Sequence, residues 1–209
     1  MKNKKGEQLR NKIYIATFSE NAISVIKKNQ LNIELNHICI SENLDADKIK
    51  KTIQDIEADI KESGCKDVIL HGPFTEICPG SIDQRAVKLG YDRLNEAYDV
   101  ARRLGINKMV VHSGYLPLIY YREWHLEKSI IFWRKFMSDK SSDFNIYIEN
   151  VFEDDPLMMK ELVEDLNDPR IHIALDVGHA NVMTKKDISV YDWIKVLGKS
   201  IGHFHIHNN

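Results

Sequence analysis

The 209-residue chain carries 31 acidic and 29 basic residues, a formal charge of −2, and is 43% hydrophobic; it is long enough to bury a core as one domain and has no overall field to attract a polyanion. No apolar run approaches the roughly 20 residues of a membrane span, and Met1 to Arg10 lacks the apolar stretch of a secretory signal, so a cytoplasmic protein is expected. The basic opening, Lys2 to Lys5, reads as a solvated tail, and Cys39, Cys65 and Cys78, odd in number and without CxxC spacing, read as buried or part-buried free thiols.

Short apolar runs rich in β-branched residues alternate along the chain with longer stretches of helical periodicity, the pattern of a parallel α/β fold. Strands are expected at Lys12 to Thr17 and Asn32 to Ile40. A helix follows, with Ile49, Ile53, Ile56 and Ile60 on one face, Asp45 as N-cap and Gly64 as stop. After a strand at Asp67 to His71, Val87, Tyr91, Leu94, Tyr98 and Ala101 mark a second helix that ends at Leu104 and Gly105. A strand at Lys108 to His112 precedes a helix with Leu126, Ile130, Trp133 and Met137 on one face. Beyond a strand at Asn145 to Glu149, a helix starts at Asp155 with Pro156 in its first turn. The last strands are Ile171 to Asp176 and Ile201 to His207, and Ser189 to Asp192 forms a weak capping box before Trp193, Ile194 and Leu197. Seven strands with interleaved helices predict a TIM-type (β/α) barrel as a single domain over residues 1–209. A doubly wound sheet is the competing architecture, but no GxGxxG follows the first strand and no GxxxxGK[ST] occurs anywhere.

In a parallel barrel the carboxyl ends of the strands form the active-site face. Strands three to six end at His71, His112, Glu149 and Asp176, and the seventh runs His203-Phe204-His205-Ile206-His207. Side chains alternate across a strand. If Val68, Leu70, Val111, Ile146, Ile148, Ile173 and Leu175 face the helices, then His71, His112, Glu149 and Asp176 point into the barrel mouth, and His203, His205 and His207 share the inner face. A lone histidine at a strand end is usually a hydrogen-bonded rim residue; the convergence of five such ends favours a metal site. Carboxylates and imidazoles without thiolate suit Zn²⁺, Mn²⁺, Co²⁺ or Mg²⁺. Gly178 permits a sharp turn that would fold His179 back over the mouth, where it could meet a substrate oxygen or a second metal; a purely structural turn is the alternative.

His71-Gly72-Pro73-Phe74, Val111-His112-Ser113-Gly114, Ile148-Glu149-Asn150, Leu175-Asp176-Val177-Gly178-His179 and His205-Ile206-His207-Asn208-Asn209 together resemble the xylose isomerase-like TIM-barrel superfamily. That group includes sugar-phosphate isomerases and epimerases and the family 2 apurinic/apyrimidinic endonucleases. The isomerase pattern implies Glu149, Asp176 and His205 as ligands of one divalent metal, Glu149 as acid/base, and His179 on substrate oxygens. His71, His112 and His207 then become further substrate contacts. The endonuclease pattern adds His71, His112 and His179 as ligands of a zinc cluster. In two respects the sequence departs from the family: Asn208 stands where an Asp is usual, and the eighth strand with its metal-binding Glu is not reached by Asn209. The resemblance therefore implies an incomplete barrel of seven strands, C-terminally truncated relative to the family, with impaired activity.

Three functions follow as expectations. The first is a metal-dependent sugar or sugar-phosphate isomerase or epimerase working by proton or hydride transfer, a role in carbohydrate metabolism. The second is a zinc-dependent phosphodiesterase acting on abasic DNA, disfavoured by the near-neutral charge. The third is a non-catalytic barrel that binds a sugar or a metal. The expected partner is a small-molecule sugar or sugar phosphate; a homo-oligomer is compatible with the sequence, and no membrane is expected. Phe74 either wedges into a base stack or packs at the rim. Arg85, Arg93 and Arg122 either meet a phosphate or form helical salt bridges.

Overall fold

The computed structural model describes residues 8–207, so Lys2 to Lys5 and the Asn208-Asn209 pair lie outside the described residues. The elements, in chain order, are β1 (Tyr14–Ala16), α1 (Ala22–Asn29), β2 (Asn32–Leu35), a 3₁₀ turn (Ser41–Leu44), α2 (Ile49–Ser63), β3 (Val68–His71), α3 (Gln84–Arg103) and β4 (Lys108–His112). They continue with α4 (Arg122–Met137), β5 (Asn145–Glu149), α5 (Leu157–Leu166), β6 (Ile171–Asp176), α6 (Val177–Met183), α7 (Val190–Leu197), a 3₁₀ turn (Gly198–Ser200) and β7 (Ile201–His205). The strands are hydrogen-bonded in chain order, β1 to β7. This is an incomplete TIM-type (β/α) barrel of seven parallel strands. Among the described residues no helix is long and apolar enough to cross a membrane.

The chain forms two compact units, the first from residues 1–73 and 96–109, the second from residues 74–95 and 110–209. In the first, Ile33 of β2, Ile53 and Ile56 of α2, and Ile69 and Leu70 of β3 are buried together with Val100 and Ala101 of α3. Their spacing is what makes these segments a strand and two helices: each buries one face or stripe and leaves charge on the other. β1, β2 and β3 pair in parallel, with Ile15 opposite Ile33 and Leu35 opposite Leu70. At the start of β3, Asp67 accepts from Lys108 and Tyr14. Burial alone would raise its pKa, but these bonds outweigh it and hold the carboxyl below the usual range.

Three local features differ from the sequence expectation. β2 ends at Leu35 rather than Ile40, because Asn36 exchanges hydrogen bonds with Thr17: Thr17 N donates to Asn36 Oδ1 and Asn36 N to Thr17 Oγ1, both at 2.9 Å. Asp45 does not cap α2 through its side chain; it closes the preceding 3₁₀ turn, and its carbonyl accepts from Ile49 N at 2.8 Å. α1 had no counterpart in the sequence reading, being a short helix with only Ala22 and Ile26 buried. Gly64 does end α2, in the left-handed conformation at φ 63°.

In the second unit the core is aromatic on the α4 side. Trp133, Phe132 and Phe136 are buried and pack edge to face, with Tyr91 of α3 against both phenylalanines. Ile146 and Ile148 of β5 and Ile173 and Leu175 of β6 are fully buried, and alternation along each strand puts them on the face opposite Glu149 and Asp176. β5 pairs with β6 through Ile148 opposite Ile173, and β6 with β7 through Asp176 opposite His205, after a bulge at Ile173/Ala174. The free thiols are as expected, Cys39 buried and Cys65 and Cys78 part-buried.

Candidate metal centre

The second unit brings six of the candidate residues to one place. Glu149 and Asp176 end β5 and β6, each 2% exposed, and His205 ends β7. One donor atom from each of Glu149, Asp176 and His205 lies within 4.8 Å of the others, and the same holds for Asp176, His179 and His207. His205 Nδ1 is 3.1 Å from Glu149 Oε1 and 3.9 Å from Asp176 Oδ2. From the β4 end, His112 Nε2 stands 3.5 Å from Glu149 Oε2.

His179 arrives by a route other than a glycine turn. Asp176 is the N-cap of α6, its Oδ1 accepting the His179 N–H at 2.7 Å, and the helix starts directly at Val177 with Gly178 inside it. One helical turn then brings His179 Nε2 back to 3.9 Å from both Glu149 Oε1 and Asp176 Oδ2. His207 lies just past β7, and its Nε2 is 2.9 and 3.1 Å from the two oxygens of Asp176. The side chains of His179 and His207 are 36% and 44% exposed against 3% for each carboxylate, so the carboxylates form the floor and these imidazoles the rim.

Two carboxylates with several imidazole nitrogens, and no thiolate, fit a hard or borderline divalent cation. The carboxylates are also held from behind. Asn150, buried beside Glu149, accepts the Asp176 N–H on Oδ1 at 2.9 Å and donates from Nδ2 to the Asp176 carbonyl at 3.1 Å. Ser113, next to His112, donates its N–H to the Glu149 carbonyl at 2.9 Å. At Gly114, with φ at 70°, a Cβ would sit 2.1 Å from the Ile77 carbonyl oxygen, so only glycine fits that turn. Asn150 and Ser113 stood in the motifs of the sequence without an assigned role; a polar residue following the strand-end Glu149 or His112 was the available signal.

Phe74 stacks on His112, ring centroids 4.9 Å apart and 21° between planes, which is the rim-packing alternative. Arg85 pairs with Asp83 at 2.8 Å and Arg122 with Glu161 at 2.9 Å, the salt-bridge alternative for both. His71, at the end of β3 in the first unit, is buried with Nδ1 2.9 Å from the Gly72 carbonyl. A carbonyl only accepts, so Nδ1 is the donor in this bond. His203 lies on β7 beside His205, ring centroids 5.2 Å apart.

The chain is similar in sequence to curated proteins and in fold to solved structures. Uncharacterized protein MJ1311 of Methanocaldococcus jannaschii is 28% identical over 156 residues, covering 68% of this chain and 52% of that protein. Probable endonuclease 4 of Mycobacterium leprae is 26% identical over 159 residues, covering 73% of this chain and 61% of that one. The chain thus spans little more than half the length of these curated relatives. A crystal structure of a D-tagatose 3-epimerase-like protein superposes with a TM-score of 0.70 at 22% identity, covering 95% of this chain and 76% of that one. Residues 27–209 match the family described as xylose isomerase-like TIM barrel, and the chain belongs to that family.

Proposed function

We propose that Glu149, Asp176 and His205 hold a divalent cation, Mn²⁺, Zn²⁺, Co²⁺ or Mg²⁺, and that the chain isomerises or epimerises a sugar or sugar phosphate. The observation that carries this reading is the meeting of those three donors, from three successive strand ends, within 4.8 Å of one another. A cation bound there would polarise adjacent substrate oxygens and lower the cost of negative charge on them. Glu149, fixed at the end of β5 with His205 Nδ1 at 3.1 Å, is the group that takes up and returns the substrate proton. His179 and His207, on the exposed rim, hydrogen-bond the substrate oxygens and orient the sugar. The similarity to a D-tagatose 3-epimerase-like structure supports the same class of substrate.

The test is to load the metal-free chain with each cation and follow interconversion of ketoses and aldoses by chromatography. Glu149→Gln should lower turnover by about 10³-fold with an unchanged circular dichroism spectrum; turnover at the wild-type level would sink the assignment. A second reading, a phosphodiesterase acting on abasic DNA, is favoured by His112 and His179 both flanking Glu149, at 3.5 and 3.9 Å, and by the similarity to probable endonuclease 4. Elemental analysis separates the two. One ion per chain supports the isomerase, and two or three, with cleavage of an abasic oligonucleotide, support the nuclease.

A further inference from the structure

Between β5 and α5 lies a carboxylate that the proposed chemistry does not use. Glu153 is 2% exposed although it sits in a loop. Its Oε1 accepts the Ser113 hydroxyl, and its Oε2 accepts the N–H groups of Val151 at 2.6 Å and Phe152 at 3.1 Å. Ser113 Oγ in turn accepts the Tyr115 N–H at 3.2 Å. Burial pushes the Glu153 carboxyl upward, with the bonds from Ser113, Val151 and Phe152 acting against it.

The residues this carboxylate grips are informative. Ser113 directly follows His112, and Val151 follows the Glu149-Asn150 pair, so one side chain ties the segments leaving two adjacent strands. Ser113 is anchored on its other side by Gly114, whose turn closes against Ile77. Burying a carboxylate is costly even when hydrogen bonds replace part of its hydration, and an apolar residue of the same volume is often no less stabilising, so a role besides stability is worth seeking for it. The two segments its bonds join carry the His112 imidazole and the Glu149 carboxylate, 3.5 Å apart.

We propose that Glu153 is a positioning residue that, by clamping the segments after β4 and β5, sets the geometry of His112 and Glu149 and with it the affinity of the site for its cation. The inference rests on the reading of Glu149 as a metal ligand. It extends that reading to a group that touches neither metal nor substrate.

The test is titration of the metal-free chain with Co²⁺, followed by visible absorption, alongside thermal melts of each variant. Glu153→Ala should weaken Co²⁺ binding by about 10–100-fold, the usual effect of removing a group that orients a ligand. Glu153→Gln, which keeps an oxygen for the two N–H groups, should restore most of the affinity. Ser113→Ala removes one link of the clamp without a large cavity and should fall between them; it decides the matter if Glu153→Ala does not fold. A lower melting temperature with wild-type Co²⁺ affinity in Glu153→Ala or Ser113→Ala would make the clamp purely structural and overturn the inference. Failure of the wild-type chain to bind Co²⁺ would overturn the metal reading and this inference with it.

Discussion

At the N-terminal end of β6, Arg170 donates to both oxygens of Asp168, at 3.0 and 2.6 Å, and to the carbonyls of Met137 and Lys140, each at 3.0 Å. Met137 is the last residue of α4, so the guanidinium satisfies carbonyls that a helix end leaves over. At the other end of the same strand, Asp176 and Glu149 stand side by side, with imidazoles of His112, His179, His205 and His207 around them. One end of β6 meets its charge with an opposite fixed charge and gains stability. The other gathers donors of the kind a cation needs, and the barrel rule that function sits at the carboxyl ends and stability at the amino ends has a concrete basis here.

That contrast breaks most readily at Asn150. Replacing Asn150 with Ala leaves the buried N–H and carbonyl of Asp176 without the side chain that pairs with both. Each unsatisfied buried group costs about 1–3 kcal/mol, and the Asp176 carboxylate loses its support. We expect Co²⁺ affinity to fall about 10–100-fold, measured by titration well below the melting temperature of the variant. Unchanged affinity would mean that Asp176 is placed by its strand alone.

How far the sequence disclosed this site depends on the kind of residue. Strand-end residues are legible because alternation is rigid: with Ile146, Ile148, Ile173 and Leu175 on one face and fully buried, Glu149 and Asp176 fall on the other without any tertiary information. Gly178 suggests a turn that folds His179 back, whereas Asp176 caps a helix whose first turn brings His179 Nε2 to 3.9 Å from both carboxylates. Glu153 was not legible at all. Its burial depends on donors from Ser113, forty residues away in the chain, and a loop glutamate reads as solvated from its neighbours alone. His125 is the reverse case. It sits on α4 beside Ser129, and burial lowers its pKa to about 4, so it is a neutral core histidine that has no part in the site.

The paired end of β6 makes a second prediction, one that leaves the site unchanged. The Arg170 hydrogen bonds hold the Asp168 carboxyl below the usual range against a smaller opposing effect of burial. A depressed folded pKa gives stability that is complete above the unfolded value of about 3.9 and is lost as pH falls through the folded value. Asp168→Asn should therefore cost about 2 kcal/mol at neutral pH, the usual value of a hydrogen bond to a charged group. It should also flatten the decline in stability below about pH 4. Urea unfolding across that range reads both. Co²⁺ affinity at neutral pH should stay at the wild-type level; a parallel loss would show that the two ends of the strand are not energetically separate.

The smallest effect supplies the scale for the others. Ser189 and Asp192 form a reciprocal capping box at the start of α7: Ser189 Oγ accepts the Asp192 N–H at 3.3 Å and Asp192 Oδ2 accepts the Ser189 N–H at 2.9 Å. The box is solvent-exposed, and α7 is also held by buried Trp193, whose indole N–H donates to Thr184 Oγ1 at 2.8 Å. Ser189→Ala should lower the melting temperature by only about 2–4 °C, the shift expected of one lost cap in a chain of this length. It touches neither end of β6, so Co²⁺ affinity should not move. If this variant weakens metal binding as much as Asn150→Ala does, general destabilisation explains both losses, and the site does not depend on the particular hydrogen bonds behind its carboxylates.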